Sequence, residues 1–507
     1  MEKSPAKIEA MPQQLVTDAE AAMAWEHALT TRRALKLYSK AVWYGAFVSL
    51  ALVMEGFDTK ILGSLYAVPA FQEAYGVRQP DGSYEISAPW QSGLGSIMGV
   101  TSIFGMFLGG WATERFGFRK TMMAALLSMP PIVFIFFFAP SLAVLAVAIC
   151  LFSFPLGIFQ TVTTVYVTDI MPVALRPYLT SCYSLAWALG QLLNAVIFRG
   201  TLTLPAPWTY RVPFALQWFW PILIIVGVYL APESPWWLVR QNRLDEAEAA
   251  VSRLTSGLDI DTQKLVSLMV FTTEHERQVE SGTSYFACLR GTNLRRTIVV
   301  MGVYAMQLLT GSQFRGFMTY FFLQAGIPTD QSFNMTIVAL TLSVLGVLGA
   351  WVVMTYAGRR TMYLWGGALT IALFTAIGGM GVKLHTSSSS SMAWAIGYFR
   401  LGVRNPILPP SEQVCCDCTK LLFSHQYPRR VMTPYMLNPT AWNWGALTGF
   451  FWAGAAVIGF IFTFFMVPES KGRTTAEMDI LFEKKVHVRK FKATKVSLTH
   501  IEGDGLP

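Results

Sequence analysis

Charge is scarce in this chain of 507 residues: Asp, Glu, Lys and Arg make up 14% of it, against 53% hydrophobic residues. Soluble domains carry about 25% charged residues, so an ordinary soluble fold is excluded and a bilayer is the expected solvent. Cysteine is scarce as well. Six cysteines do not make a secreted disulfide framework, and Cys150 and Cys182 fall in apolar runs, where a thiol behaves as a small apolar side chain. Residues 1–40 are polar and mixed in charge, not a signal peptide, and read as an unordered arm. No phosphate-cradling glycine loop and no nucleophile beside a base is found, so no enzymatic activity, metal or cofactor is expected.

What the chain does have is long apolar runs. A helix needs about 20 apolar residues to cross the hydrocarbon core. Such runs lie near 42–62, 93–113, 120–138, 142–166, 179–198 and 213–231, then near 298–322, 334–356, 361–382 and 447–467. The net charge of +9 is not spread evenly. Basic residues crowd the arm (Arg32, Arg33, Lys36, Lys40), the link holding Arg115, Arg119 and Lys120, the loop 232–297 and the tail after Val467. The alternate link 66–92 offers Arg78 alone among basic residues, and 323–333 offers none. This positive-inside pattern predicts an integral membrane protein with both termini and the central loop cytoplasmic. It also argues against a nucleic-acid partner, because no soluble region is large enough to present a basic face.

One charged signature occurs twice. It reads Gly110-Trp-Ala-Thr-Glu114-Arg115-Phe-Gly117-Phe-Arg119-Lys120 and then Tyr356-Ala-Gly358-Arg359-Arg360, each copy in a short link between two apolar runs. Paired halves of this kind are how many secondary transporters are built. The boundaries follow: an arm 1–40, a first half 41–231, a central loop 232–297, a second half 298–467 and a tail 468–507. Within the loop, Asp245–Leu254 and Asp261–Val279 read as short amphipathic helices. The serine run Ser387–Ser391 reads as an external loop tip.

Further motifs carry a resemblance. Pro232-Glu-Ser-Pro235-Trp-Trp-Leu238, Pro468-Glu469-Ser-Lys-Gly472-Arg473 and Asp169-Ile-Met-Pro172-Val-Ala-Leu-Arg176 resemble the links of the sugar porters of the major facilitator superfamily. Glu55-Gly-Phe-Asp58-Thr, Phe159-Gln160-Thr161, Gly190-Gln191-Leu192, Tyr320-Phe-Phe-Leu-Gln324-Ala-Gly326 and Met432-Thr-Pro-Tyr-Met-Leu-Asn438-Pro-Thr-Ala-Trp442 look most like its fungal α-glucoside proton symporters. The resemblance covers residues 40–490. It implies an all-α major facilitator fold of two pseudo-symmetric six-helix halves, monomeric in the plasma membrane, moving a sugar such as maltose with a proton by alternating access. Hexose uptake, uncoupled facilitation, a non-transporting sugar sensor and an inactive product of a shifted reading frame remain alternatives.

Roles can be assigned on that basis. Glu55 and Asp58 lie three apart on one face of the first span, and acids at that depth are costly and usually functional. Asp58 is the first candidate for carrying the proton, as the resemblance also implies, with Glu55 beside it. Amide side chains both donate and accept, as sugar hydroxyls do. Gln160, Gln191, Asn194, Gln307, Gln313, Tyr320, Gln324 and Asn334 are therefore candidate sugar contacts. Gln191 and Gln307 align with sugar-contacting amides of the wider family, and Trp187 and Phe314 are candidate stacking faces. Glu114, Arg115, Arg119, Asp169, Arg176, Glu233, Arg359, Arg360 and Glu469 form a candidate cytoplasmic gate, whose ion pairs would hold the halves together when the site faces outward. The chain departs from the family at Pro177, at Ser102, at Arg315 and in having no Arg in the fourth span.

Residues 400–431 do not fit. They are polar and rich in Pro, where relatives have the end of the tenth span and most of the eleventh. Cys415, Cys416, Cys418 and His425 lack the paired spacing of a zinc site. Back-translating Gly402–Asn405 as GGT GTC CGA AAT and starting one nucleotide later gives V-S-E. With suitable codons the same offset continues I-P-S-S-R-L-R-S-K-S-V-V-I-A-R-N-C, a string resembling the family's link at this place. A polar stretch cannot lie in lipid with its backbone unpaired, so the tenth and eleventh helices are expected to be disrupted as the sequence stands.

Overall fold

The computed structural model describes residues 13–80, 82–172, 175–256, 261–280, 291–309, 311, 316–386, 427–469 and a few positions of the tail between 481 and 494. The aberrant segment up to residue 426 and the serine run lie outside the described residues. Helix dominates throughout, as a chain in lipid requires when it must pair its own backbone groups. The arm, expected as unordered, is helical from Gln13: α1 (Gln13–Ala28) and α2 (Thr31–Leu37) precede the first long helix, α3 (Ser39–Leu65). A short α4 (Pro69–Tyr75) and a hairpin follow. In that hairpin β1 (Val77–Arg78) pairs antiparallel with β2 (Tyr84–Glu85), so that Val77 faces Glu85. The first half continues through α5 (Ala88–Phe116), α6 (Phe118–Phe137), α7 (Leu142–Ile170), α8 (Arg176–Thr201), α9 (Trp208–Ala215) and α10 (Phe219–Leu230).

In the central loop the two expected amphipathic helices form as α12 (Leu244–Leu254) and α13 (Thr262–Glu280), preceded by a short α11 (Pro235–Arg240) that was not expected. Their apolar faces meet in a small core of Trp237, Leu238, Val239, Ala247, Ala250, Val251, Leu265 and Val266, which Ala22 of the arm also joins. The second half holds α14 (Gly291–Leu309), α15 (Met318–Gln324), α16 (Thr329–Tyr356), α17 (Arg359–Thr386), α18 (Tyr427–Leu437) and α19 (Thr448–Met466).

Eight helices among the described residues are long and apolar enough to cross a membrane. The expected run 179–198 lies in α8, which is not one of the eight although its 26 residues reach roughly 39 Å; it carries Gln191, Asn194 and Arg199. The expected run 298–322 is not one helix. It divides into α14 and α15 around Gly311, whose φ of +79° lies in the left-handed region that interrupts a helix.

Close backbone approach fixes the first half. A Cβ added to Gly56 would collide with the Trp187 carbonyl of α8, and one added to Gly190 would collide with the Val53 carbonyl of α3. Gly105 of α5 and Gly157 of α7 meet in the same reciprocal way, through the Phe154 and Ser102 carbonyls. Small residues do this in membranes because apolar side chains gain nothing over lipid, so tight packing must supply the attraction. Gly190→Val should therefore cost about 1–3 kcal/mol, read as a lower thermal midpoint of the purified protein. Gly200→Ala, on the same helix with open space around it, should leave the midpoint unchanged.

Candidate functional site

Three ionisable side chains on α3 are withdrawn from solvent: Glu55, Asp58 and Lys60 are 4%, 1% and 1% exposed. Helical spacing sends Asp58 and Lys60 in opposite directions, since two residues turn the helix through about 200°. Asp58 points within its own half, where its Oδ1 accepts a hydrogen bond of 2.8 Å from Gln217 Nε2, in the 3-10 turn Leu216–Trp218 that joins α9 to α10. Asp58 Oδ2, Gln217 Oε1 and Glu55 Oε2 are buried without a hydrogen-bond partner among the described residues. Lys60 points to the other half and donates 2.8 Å to the Gly316 carbonyl, just before α15. Gly63, one turn further on the same face, packs against that carbonyl so closely that a Cβ would collide with it.

The expected sugar contacts divide into two groups. Asn194 is fully buried between α8 and α3, accepting from Ser64 Oγ at 2.8 Å and donating to the Phe57 carbonyl at 3.0 Å. That is a brace between helices. Gln160 Nε2 donates to Tyr183 Oη at 3.3 Å, joining α7 to α8, and Gln191 is half-buried one turn before Asn194. The other group sits at the end of the bundle bearing the hairpin. Tyr320 Oη donates to Glu85 Oε1 at 2.5 Å, and Gln324 Nε2 approaches Glu85 Oε2 at 3.4 Å. Asn334 Oδ1 accepts from Arg199 Nε at 3.0 Å, with Asp330 3.7 Å from the same guanidinium. The side chain of Gln307, on α14, and the whole of Gln313, Phe314 and Arg315 lie outside the described residues.

The repeated links explain themselves as two copies of one joint. Gly117 (φ +89°) precedes α6, and a Cβ there would meet the Glu233 carboxylate. Glu233 accepts the backbone N–H of Phe118 at 2.7 Å and of Arg119 at 3.2 Å, capping the N-terminus of α6 where free amides and the helix dipole favour an anion. Burial pushes the Glu233 carboxyl above its ordinary range, against the lowering pull of the Ser234, Arg119 and Phe118 amides. Arg119 Nη2 donates 2.6 Å to the Tyr229 carbonyl and lies over the Tyr229 ring. In the second half a Cβ at Gly358 would run into the Glu469 carboxylate, while Arg360 Nη2 donates 2.9 Å to the Phe464 carbonyl and lies over that ring. The described hydrogen bonds of Glu233, Arg119 and Arg360 stay within one half. Asp169 Oδ2 accepts from Ser234 Oγ at 2.6 Å, again inside the first half. Glu114 and Arg115 are exposed, and the Glu114 carbonyl accepts Trp237 Nε1 at 2.8 Å. The side chains of Arg176 and Arg359 lie outside the described residues.

Three site residues escaped the sequence reading. Lys60 was legible as a charge inside an apolar run. Gln217 is a lone amide in such a run, and Glu85, in a polar loop, gave no signal. The cap predicts that Glu233→Ala lowers the stability of the folded chain by about 1.5–3 kcal/mol, the cost of hydrogen bonds to a charged acceptor. Glu114→Ala, which removes an exposed carboxylate, should change the midpoint little; equal losses would refute the cap.

A family model described as "Sugar (and other) transporter" matches residues 45–402 and 427–482, passing over 403–426. A general α-glucoside permease of Saccharomyces cerevisiae is 34% identical over 505 residues, covering 94% of this chain and 81% of its own length. A maltose permease of the same organism is 36% identical over 501 residues, with the same coverage. Among solved structures, the xylose transporter of E. coli in a partially occluded inward-open conformation superposes with a TM-score of 0.66 at 17% identity, over 86% of this chain and 100% of that one. The same major facilitator superfamily proton:xylose symporter bound to 6-bromo-6-deoxy-D-glucose gives 0.65 at 18%, over 88% and 99%. The architecture is the major facilitator fold.

Proposed function

Since this chain belongs to the sugar (and other) transporter family, we propose that it takes up an α-glucoside such as maltose together with a proton, by alternating access. The chain is a membrane transporter and not an enzyme. The observation that carries the substrate is the 34–36% identity, over 94% of this chain, to permeases named for α-glucosides and maltose. Proton coupling is supported by the two buried carboxylic acids of α3, of which Asp58 holds one amide partner and leaves its second oxygen unengaged among the described residues. A group that gains and loses a proton while water access alternates is what coupling requires, and a transmembrane carboxyl can do so. The chain sits in the plasma membrane as a monomer with the arm, the central loop and the tail cytoplasmic. The hairpin and the loop before α16 then face outside.

The sugar groups that the sequence suggests are distributed over both halves, Gln160 and Gln191 on α7 and α8, Gln307, Tyr320 and Gln324 on α14 and α15. A substrate between them would touch both, and its binding would bias the equilibrium between the two openings. Uptake of labelled maltose and glucose into proteoliposomes, with and without a pH gradient, tests the assignment. Asp58→Asn should abolish accumulation above the external concentration while leaving downhill entry and exchange. Uphill accumulation by that variant would refute coupling through Asp58.

A second reading is favoured by one observation: the family match skips 403–426, inside the stretch whose shifted frame resembles the family. On this reading the chain carries an out-of-frame segment where relatives have the tenth and eleventh helices and moves little sugar, whereas the frame-corrected chain transports. Complementary DNA that reproduces the printed frame would remove a gene-model error as its cause.

A further inference from the structure

The described hydrogen bonds that cross between the halves gather toward one end of the bundle. Glu85 of the hairpin is 7% exposed although it lies in a loop between spans. Its carboxylate is approached from the other half by Tyr320 Oη (2.5 Å) and Gln324 Nε2 (3.4 Å), and from its own half by Gln72 Nε2 (3.5 Å). The next residue, Ile86, offers its carbonyl to Asn438 Nδ2 of the second half at 2.8 Å and to Gln91 Nε2 of the first at 3.0 Å. Around these bonds Tyr66 stacks on Phe317 at 5.9 Å and Phe198 on Phe333 at 6.2 Å, each pair joining the two halves. Tyr320, Gln91 and Asn438 are fully buried.

A carboxylate accepts through two oxygens and about four lone-pair sites, so it can collect a phenol and two amides at once. A sugar hydroxyl oxygen offers the same donors a partner, and Tyr320 and Gln324 are the very groups that the sequence pattern assigns to sugar. Buried donors left without acceptors are costly, so closing this end over an empty site needs a stand-in for the sugar oxygens. Glu85 is placed to be one.

We propose that Glu85 is the latch that closes the sugar pathway at this end: it holds Tyr320 and Gln324 of α15 while the end is shut and frees them to meet sugar when the hairpin withdraws. The inference rests on the reading of the chain as a sugar transporter, but its central test does not need transport. Ala88, fully buried two residues after Ile86, is replaced by cysteine in the full chain. Its modification by a membrane-impermeant maleimide is followed in intact cells, with residue 88 read by peptide mass spectrometry so that native cysteines stay in place. Glu85→Gln and Tyr320→Phe should each speed labelling by at least about tenfold, the factor set by losing one hydrogen bond to a charged acceptor. The double variant should label no faster than the faster single one, because both break one contact.

Unchanged labelling in Glu85→Gln would overturn the latch, as would simple multiplication of the two effects. A control cysteine at Ser153, buried within the first half, must stay unlabelled. Its labelling in Glu85→Gln would mean a loosened fold and would also overturn the proposal. Maltose uptake adds a readout that a merely structural residue would not move. Glu85→Gln favours the open form and should lower KM with a reduced maximal rate, whereas Tyr320→Phe also loses a sugar contact and should raise KM. Changes of the same sign would refute the exchange of partners. Absence of maltose uptake by the unaltered chain would count against the proposed function, while the labelling would still decide the latch.

Discussion

Charge at bilayer depth costs free energy that only polar partners, or binding of a proton, can offset. The helix α3 carries Glu55, Asp58 and Lys60 within six residues, and the rest of the site is arranged around how each is satisfied. Reciprocal glycine contacts with α8 bring the α3 backbone close enough for Asn194 to brace Phe57 and Ser64. The brace fixes the rotation of α3, and the rotation decides which charge faces which half. Asp58 is thereby turned toward Gln217 and Lys60 toward the turn before α15. One helix holds a proton candidate on one side and a grip on the other half on the opposite side. A change at either side is felt along a rigid rod, which is the kind of element that can couple two events.

The charged links also build a joint inside each half. Alternating acidic and basic motifs invite pairing between the halves, yet the described bonds of Glu233, Arg119, Asp169 and Arg360 stay inside one half. The Glu of each Pro-Glu-Ser motif lies against the glycine of each repeated link, and the Arg two residues beyond that glycine reaches the helix that leads into the Glu. The sequence repeat is therefore a structural repeat: in each half a carboxylate lies against the link glycine while a guanidinium holds a carbonyl near the end of another helix, and in the first half that carboxylate caps α6. Such a joint keeps each half rigid when the halves rock, and rigid halves are what alternating access needs.

Much of this was readable from residues alone. Hydropathy places the long helices because lipid allows few alternatives, and the amphipathic pattern of 245–254 marks α12. The break around Gly311 was not visible, because an apolar run with a glycine in it reads the same whether the helix continues or stops. Side-chain destinations were the harder part. Asn194 looked like a sugar ligand, since an amide in a span can serve hydroxyls or backbone carbonyls, and only packing distinguishes the two. Tyr320 and Gln324 were recognised as polar groups of α15, but their partner Glu85 lies 235 residues away from Tyr320 in sequence. No local pattern encodes a contact of that span.

The two ends of the bundle are built on different physical terms, and the difference bears on how the halves move. At the end carrying the links, the described bonds of Glu233, Arg119 and Arg360 run to backbone amides and carbonyls of their own half, so separating the halves there leaves those bonds intact. At the hairpin end, Glu85, Ile86, Arg199 and Lys60 are satisfied across the divide. Opening that end must break these bonds and supply new partners, either water or a ligand with acceptors of its own. A sugar is a ligand of that kind, rich in hydroxyl oxygens. A ligand that supplies acceptors in place of the lost ones lowers the cost of breaking these bonds, because a buried donor left without an acceptor is expensive.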